Sequence, residues 1–285
     1  MVTDTKLGLA LGGGGARGLA HIVVMEVLDE LGLKVDAISG SSIGALLGMG
    51  YASGMSGRDL RAYALETFAD RAAVAGKLWS LRPSSFQDWF NPRSYSVGQI
   101  NPQKILQLFT PIETLPENLQ DLRIPMSVVT TDYYGWHEVV HTEGTLSEVV
   151  GASIAIPMVF KPVRVAGRVM IDGNITNPLP FEHLTTDMDQ VIAVDVVGGP
   201  NAGGPHAAGD DIPSGFESML GANQIMMQAI TREKLAQHKP PDVLLRPPIN
   251  EFGVLDFLKA STILRVTEVE KDAMKRAIEE RLGGR

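Results

Sequence analysis

No cysteine occurs in these 285 residues, which excludes disulfides, thiolate metal sites and a cysteine nucleophile. Basic residues are also short. The 25 Lys and Arg stand against 33 Asp and Glu, a formal net charge of −8. Neutralising phosphates needs a basic surface, so nucleic acid is excluded as the main partner. A lipid surface met through an apolar face is not. No apolar run approaches the roughly 18 residues that span a bilayer. The opening MVTDTKLGLALGGGG lacks the longer apolar core and small-residue cleavage site of a secretory signal. The chain therefore reads as cytoplasmic, with peripheral membrane contact left open.

Glycine, by contrast, is plentiful, and it is clustered in LALGGGGARGLAHIVVMEVLDELGLKVDAISGSSIGALLGMG. KLGLALG is a short apolar run ending in glycine, a buried strand. ARGLAHIVVMEVLDELG has helical spacing and closes on Gly32 as a C-cap. KVDAISG and SIGALLGMGYASG repeat the pattern. Strand, helix, strand, helix implies a parallel sheet with crossover helices.

Strand signals fade over about 57–122, where a helical insertion or lid is expected; its segment LWSLRPSSFQDWFNPRSYS gathers Trp79, Phe86, Trp89, Phe90 and Tyr95. Two readings of these aromatics stand level: an interfacial patch, or ordinary packing. Strands resume with IPMSVVTTD, WHEVVHTEG, RVMIDG and QVIAVDVVGG, with SEVVGASIAIP as a helix between them. The stretch 198–215 is a mobile loop by composition. A helix, the strand DVLLRPP and a long amphipathic helix from about 254 finish the chain. With no repeat and no linker, a single α/β domain over 1–285 is the economical reading, its motifs lying within 6–197 and C-terminal helices over 216–285.

Gly13, Gly15 and Gly18 satisfy G-x-G-x-x-G after a strand, and Asp36 lies about where a ribose-binding acid would sit. That is the fingerprint of a dinucleotide-binding oxidoreductase. However, Asp36 falls near the start of the second strand, whereas the ribose acid belongs at the strand's C-terminal end. That end carries Gly40-Ser41-Ser42-Ile43-Gly44, a G-x-S-x-G at a strand-to-helix join. Such an elbow strains and exposes a nucleophile, and the helix N-terminus beneath it favours developing negative charge. The first turn then has a role: Gly13, Gly14 and Gly15 can present amides to an oxyanion at Ser42. The plain alternative is tight strand–helix packing.

A base for Ser42 is less obvious. His21 reads as a packing or capping group inside the first helix. His137 and His141 lie in a strand pair, His183 on a short helix, His206 in the loose loop and His238 at a helix end. None follows a strand in the way a triad requires. Asp172 directly follows a strand and precedes Gly173-Asn174, while Asp132 and Asp195 are also near strand ends, where turn-stabilising aspartates are common.

With Gly13-Gly14-Gly15-Ala16-Arg17-Gly18, the Ser42 elbow, ASIAIPMVFKPV and Asp172-Gly173 within MIDGNITNPLP in this order, the chain resembles a bacterial patatin-like phospholipase over about 6–197. The resemblance implies a three-layer α/β fold with a mainly parallel central sheet and helices on both faces. It also implies a Ser42–Asp172 dyad without a histidine, an oxyanion loop at Gly13–Gly15 supported by Arg17, and elbow glycines Gly40 and Gly44. Arg17 would steady that loop or approach a phosphate. The family often has D-G-G or D-G-A where this chain has Asp172-Gly173-Asn174. The expected activity is lipid acyl-ester hydrolysis with no cofactor and no metal. Transfer to another acceptor is disfavoured because related acyltransferases carry a histidine beside the elbow serine. A catalytically silent protein on this fold is the remaining alternative. An aspartate near its ordinary pKa is a poor base for a hydroxyl, so the site is expected to be partly desolvated, with an alkaline preference.

Overall fold

The computed structural model describes residues 5–70, 74, 100–110, 115–157, 159–200, 212–213 and 215–282. Strand β1 (Leu7–Leu11) passes through a 3-10 turn at Gly15–Leu19 into helix α1 (Ala20–Glu30). Strand β2 (Ala37–Ser41) feeds α2 (Ile43–Ala52), followed by α3 (Gly57–Ala69) and α4 (Pro102–Phe109). Strands β3 (Met126–Asp132) and β4 (His137–His141) form a hairpin, and α5 (Leu146–Ser153) leads to a second hairpin, β5 (Val163–Val165) and β6 (Arg168–Asp172). Strand β7 (Gln190–Val194), α6 (Gly215–Gln237), β8 (Val243–Leu245), α7 (Ala260–Glu268) and α8 (Lys271–Leu282) complete the chain.

Local chemistry sets several boundaries. Helix α1 stops where Gly32 takes φ +65 and donates to Asp29 O, while Leu33 N reaches back to Leu28 O. These two bonds make a Schellman stop that a side chain at Gly32 would strain. Helix α3 starts on a capping box, Ser56 and Asp59 each bonding the other's amide.

The eight strands run β5-β6-β3-β2-β1-β7-β8, with β4 on β3. The pairs among β3, β2, β1, β7 and β8 are parallel; β4, β5 and β6 join antiparallel. Alternate residues serve opposite faces. Leu7, Leu9 and Leu11 join Ile192 and Val194 in the large core under α1 and α2, whereas Ala10 joins Val191, Ala193, Leu179 and Phe181 on the other face, which α6 approaches through Leu235. With both faces covered, β1 reads as a continuous apolar run rather than an alternating one.

Two details differ from the sequence reading. The short strand β5 has only three residues and was not anticipated. The expected single C-terminal helix is two, preceded by a 3-10 turn at Phe257–Lys259. Thr267 Oγ1 bonds back to Ile263 O at 2.9 Å, a contact that bends helices, and the chain turns at Val269–Glu270. The turn lets Ile263 and Leu264 of α7 and Met274 and Ile278 of α8 all reach the core. It also brings Lys271 against Glu26, which is held by both nitrogens of a fork from Arg61 at 2.6 Å. The aromatic group Trp79–Tyr95 and His206, with most of its glycine-rich loop, lie outside the described residues.

Candidate active site

Ser42 stands between β2 and α2 with φ 53 and ψ −124, a strained conformation for a non-glycine residue. Its surroundings explain how the strain is held. A Cβ on Gly44 would lie 2.1 Å from Leu11 O, and one on Gly18 would lie 2.3 Å from the Ile43 side chain. The two glycine turns are therefore packed directly on each other. Gly40 is also close-packed, its Cβ position 2.8 Å from Ala45 N. Ser42 O accepts from Ala45 N and Leu46 N, and Ser42 N donates to Ser153 Oγ at 2.9 Å. Ser153 Oγ in turn donates to Val129 O at 2.7 Å, pinning the elbow to the sheet.

Sheet register delivers the second group. Along one edge of β3, β2 climbs parallel until Ser41 faces Val129, and β6 descends antiparallel until Asp172 faces Thr130. The two strands thus end head to head on neighbouring β3 residues. Ser42 Oγ donates to Asp172 Oδ2 at 2.8 Å, while Asn174 N donates to Oδ1 at 2.8 Å. Thr131 Oγ1 donates to Asp172 O at 2.9 Å, which fixes the backbone at the strand end. Burial pushes the Asp172 carboxyl up to about 7, against the lowering effect of its bonds from Asn174 N and Ser42. Such a group still accepts a proton near neutrality and is a stronger base than an exposed aspartate.

The glycine loop divides its amides. Gly12 N donates to Val194 O, Gly13 N to Pro178 O and Ala16 N to Val254 O. The expectation that Gly13 donates to an oxyanion is therefore corrected: its amide is already bonded. Among the described residues, the Gly14 and Gly15 amides keep no such partner, and Gly15 takes φ +61. Gly13 instead supplies space, since its Cβ position lies 1.9 Å from Asn174 Oδ1. Cβ atoms on Gly14 and Gly15 would each come within 2.2 Å of a backbone oxygen, those of Val196 and Val254.

Two buried side chains hold this loop. His21 Nε2 lies 2.7 Å from Gly12 O, and burial lowers its pKa to about 4, so the neutral ring donates through Nε2. Arg17 is 3% exposed; its Nε donates to Phe252 O at 2.7 Å and its Nη1 to Val197 O. Its donors are directed at chain carbonyls, which ties the loop to the segments after β7 and β8.

The other candidates lie elsewhere. Asp132 accepts from Tyr134 N and Gly135 N, and Asp195 from Val197 N and Arg246, both as turn-stabilising groups. His141 contacts Thr130 Oγ1, and His137 contacts Gly135 O. His183 joins Glu138 and Glu182 in a cluster whose centre already holds Lys234 Nζ and Asn177 Nδ2. Sequence reasoning gave Ser153 and Thr131 no role. Both are common residue types whose meaning appears only when β3 is placed between the two ends it joins.

The chain matches the patatin-like phospholipase family over residues 9–185. It is 36% identical over 197 residues to an uncharacterized NTE family protein of Mycobacterium tuberculosis, covering 69% of this chain and 50% of that one. It is 27% identical over 280 residues to lysophospholipase NTE1 of Pyricularia oryzae, covering 92% of this chain and 18% of the fungal protein. The chain thus spans half the length of the mycobacterial relative and a smaller part of the fungal one. In fold it is similar to VipD from Legionella pneumophila, with a TM-score of 0.51 at 15% identity over 95% of this chain and 67% of that one. Sequence and architecture agree: the chain belongs to the patatin-like phospholipase family.

Proposed function

We propose that this protein is a serine lipid acyl hydrolase of the phospholipase A, lysophospholipase or carboxylesterase type, working through a Ser42–Asp172 dyad. The observation that carries the reading is the 2.8 Å bond from Ser42 Oγ to a buried carboxylate whose pKa is pushed up to about 7. The name lysophospholipase, borne by a relative matching 92% of this chain, supports a lipid substrate.

Asp172 takes the Ser42 proton as Oγ attacks the ester carbonyl. Negative charge gathers on the carbonyl oxygen, where the Gly14 and Gly15 amides and the first amides of α2 are the available donors. The intermediate collapses, the C–O bond to the leaving alcohol breaks, and Asp172 returns its proton to that alcohol. Water then loses a proton to Asp172 and attacks the acyl-Ser42 carbonyl. Collapse releases the fatty acid, and the proton goes back to Ser42 Oγ.

The test is hydrolysis of p-nitrophenyl esters of increasing chain length, and of a lysophospholipid, by wild type, Ser42→Ala and Asp172→Asn. Loss of activity in both folded variants is the expected result. Activity in Ser42→Ala equal to wild type would overturn the proposal and favour a silent protein on this fold.

A further inference from the structure

We infer that the tips of the two hairpins, β3–β4 and β5–β6, form a docking surface for a lipid bilayer carrying anionic headgroups. The β3–β4 turn exposes three aromatic residues in four positions: Tyr133 at 53%, Tyr134 at 74% and Trp136 at 87%. Asp132 organises them from beneath, its Oδ1 accepting from Tyr134 N and Gly135 N while its carbonyl accepts from Trp136 N. Trp136 is held at φ 60, a conformation that is costly for a bulky side chain. Burial in the fold does not offset that cost, since the ring faces water. Tyr133 and Tyr134 meet edge to face with centroids 5.0 Å apart, so the group is ordered before it meets anything.

The neighbouring turn supplies the charge. Tyr133 N donates to Val169 O, which places the β5–β6 turn alongside. That hairpin carries exposed Arg164 and Arg168, with Lys161 just before it. Across 132–137 and 161–168 the one carboxylate is Asp132, 7% exposed, which accepts from two amides and pairs with Arg168 Nη1 at 3.8 Å, leaving Lys161 and Arg164 without a carboxylate partner among the described residues. In a chain of net charge −8, this tip is locally cationic. Tyrosine and tryptophan prefer the headgroup zone, and each arginine near an anionic surface strengthens attachment about fivefold.

Position gives the surface its use. β3 and β2 are parallel, so the tip projects from the same sheet edge as the Ser42 elbow. The dyad faces Val129 and Thr130, only a few residues back along β3 or roughly 10 Å. A bilayer seated on the tip would meet the catalytic edge. This use of the surface rests on the hydrolase reading; the surface itself does not.

The experiment is co-sedimentation with vesicles of phosphatidylcholine and phosphatidylglycerol, run in a Ser42→Ala background so that lipid is not consumed. The unaltered tip is expected to bind, with partitioning falling about tenfold or more in Tyr134→Ser/Trp136→Ser. Arg164→Gln/Arg168→Gln should weaken binding and flatten its salt dependence. In the Ser42 enzyme, the same tip variants should hydrolyse a soluble short-chain ester at the wild-type rate. Tip variants that sediment like the parent, or a parent that does not sediment, would overturn the inference. So would a dimer in solution that Trp136→Ser dissociates, since the patch would then be a protein interface. Tip-dependent binding by an enzyme inactive on every ester would leave the surface standing and reject the hydrolase.

Discussion

The Asn174 side chain fills the space that a Cβ on Gly13 would need, with Oδ1 1.9 Å from that position. The same oxygen accepts from Ser41 Oγ at 3.0 Å, and Asn174 N donates to Asp172. One residue thus joins the glycine loop, the elbow and the base. Gly13→Ala is expected to displace Asn174 and lower kcat/KM by about 100-fold, comparable to losing an oxyanion donor. Adding Asn174→Gly removes the obstruction, so the double variant should recover at least about tenfold. Steady-state kinetics on the four proteins of this cycle measure the coupling. Additive losses would show that the two residues do not compete for this space.

Activity should follow the ionisation of Asp172. Only the carboxylate accepts the Ser42 proton, and its pKa is pushed up to about 7 by burial. The kcat/KM profile is therefore expected to rise tenfold per pH unit below about 7 and level above it. A profile already flat from pH 5 would contradict this assignment.

The same carboxyl opposes folding at neutral pH. Its pKa rises from an ordinary 3.8 to about 7, so between those values the folded state binds more protons than the unfolded one. Stability contributed by this group therefore falls as pH rises through that window. Asp172→Asn should abolish activity yet raise stability by about 1–3 kcal/mol at pH 8, and by much less at pH 4. Denaturant unfolding at the two pH values gives the comparison.

Ser153 is fully buried and positions the elbow through its bonds with Ser42 N and Val129 O. Ser153→Ala leaves Ser42 N and Val129 O without the hydroxyl that bridges them. The expected cost is about 1–3 kcal/mol of stability, with kcat lowered about tenfold and KM nearly unchanged. Ser153→Thr, which keeps the hydroxyl, should recover much of kcat. Equal loss in both variants would point to packing alone.

The sequence made the elbow and the glycine loop legible because each motif is local: strand, glycines and helix are contiguous. Asp172 was one of three strand-end aspartates the sequence offered, and the family pattern alone selected it, since its meeting with Ser42 depends on where β6 pairs along β3. Ser153 and Thr131 were hidden for the same reason. The bonding of Gly13 N to Pro178 O depends on a residue 165 positions away in the chain, which no glycine spacing encodes. The turn between α7 and α8 was missed because the apolar periodicity continues on both sides of Val269–Glu270. The exposed aromatics at 133–136 were partly read as the start of a strand, since WHEVV alternates well, and the turn begins only where Asp132 captures two amides.

Reaction with a fluorophosphonate ester, read by intact mass and peptide mapping, tests the central claim most directly. The dyad predicts one phosphonyl group on Ser42, slowed at least about 100-fold by Asp172→Asn and absent in Ser42→Ala. Labelling at another residue, or at Ser42 with undiminished speed in Asp172→Asn, would contradict it.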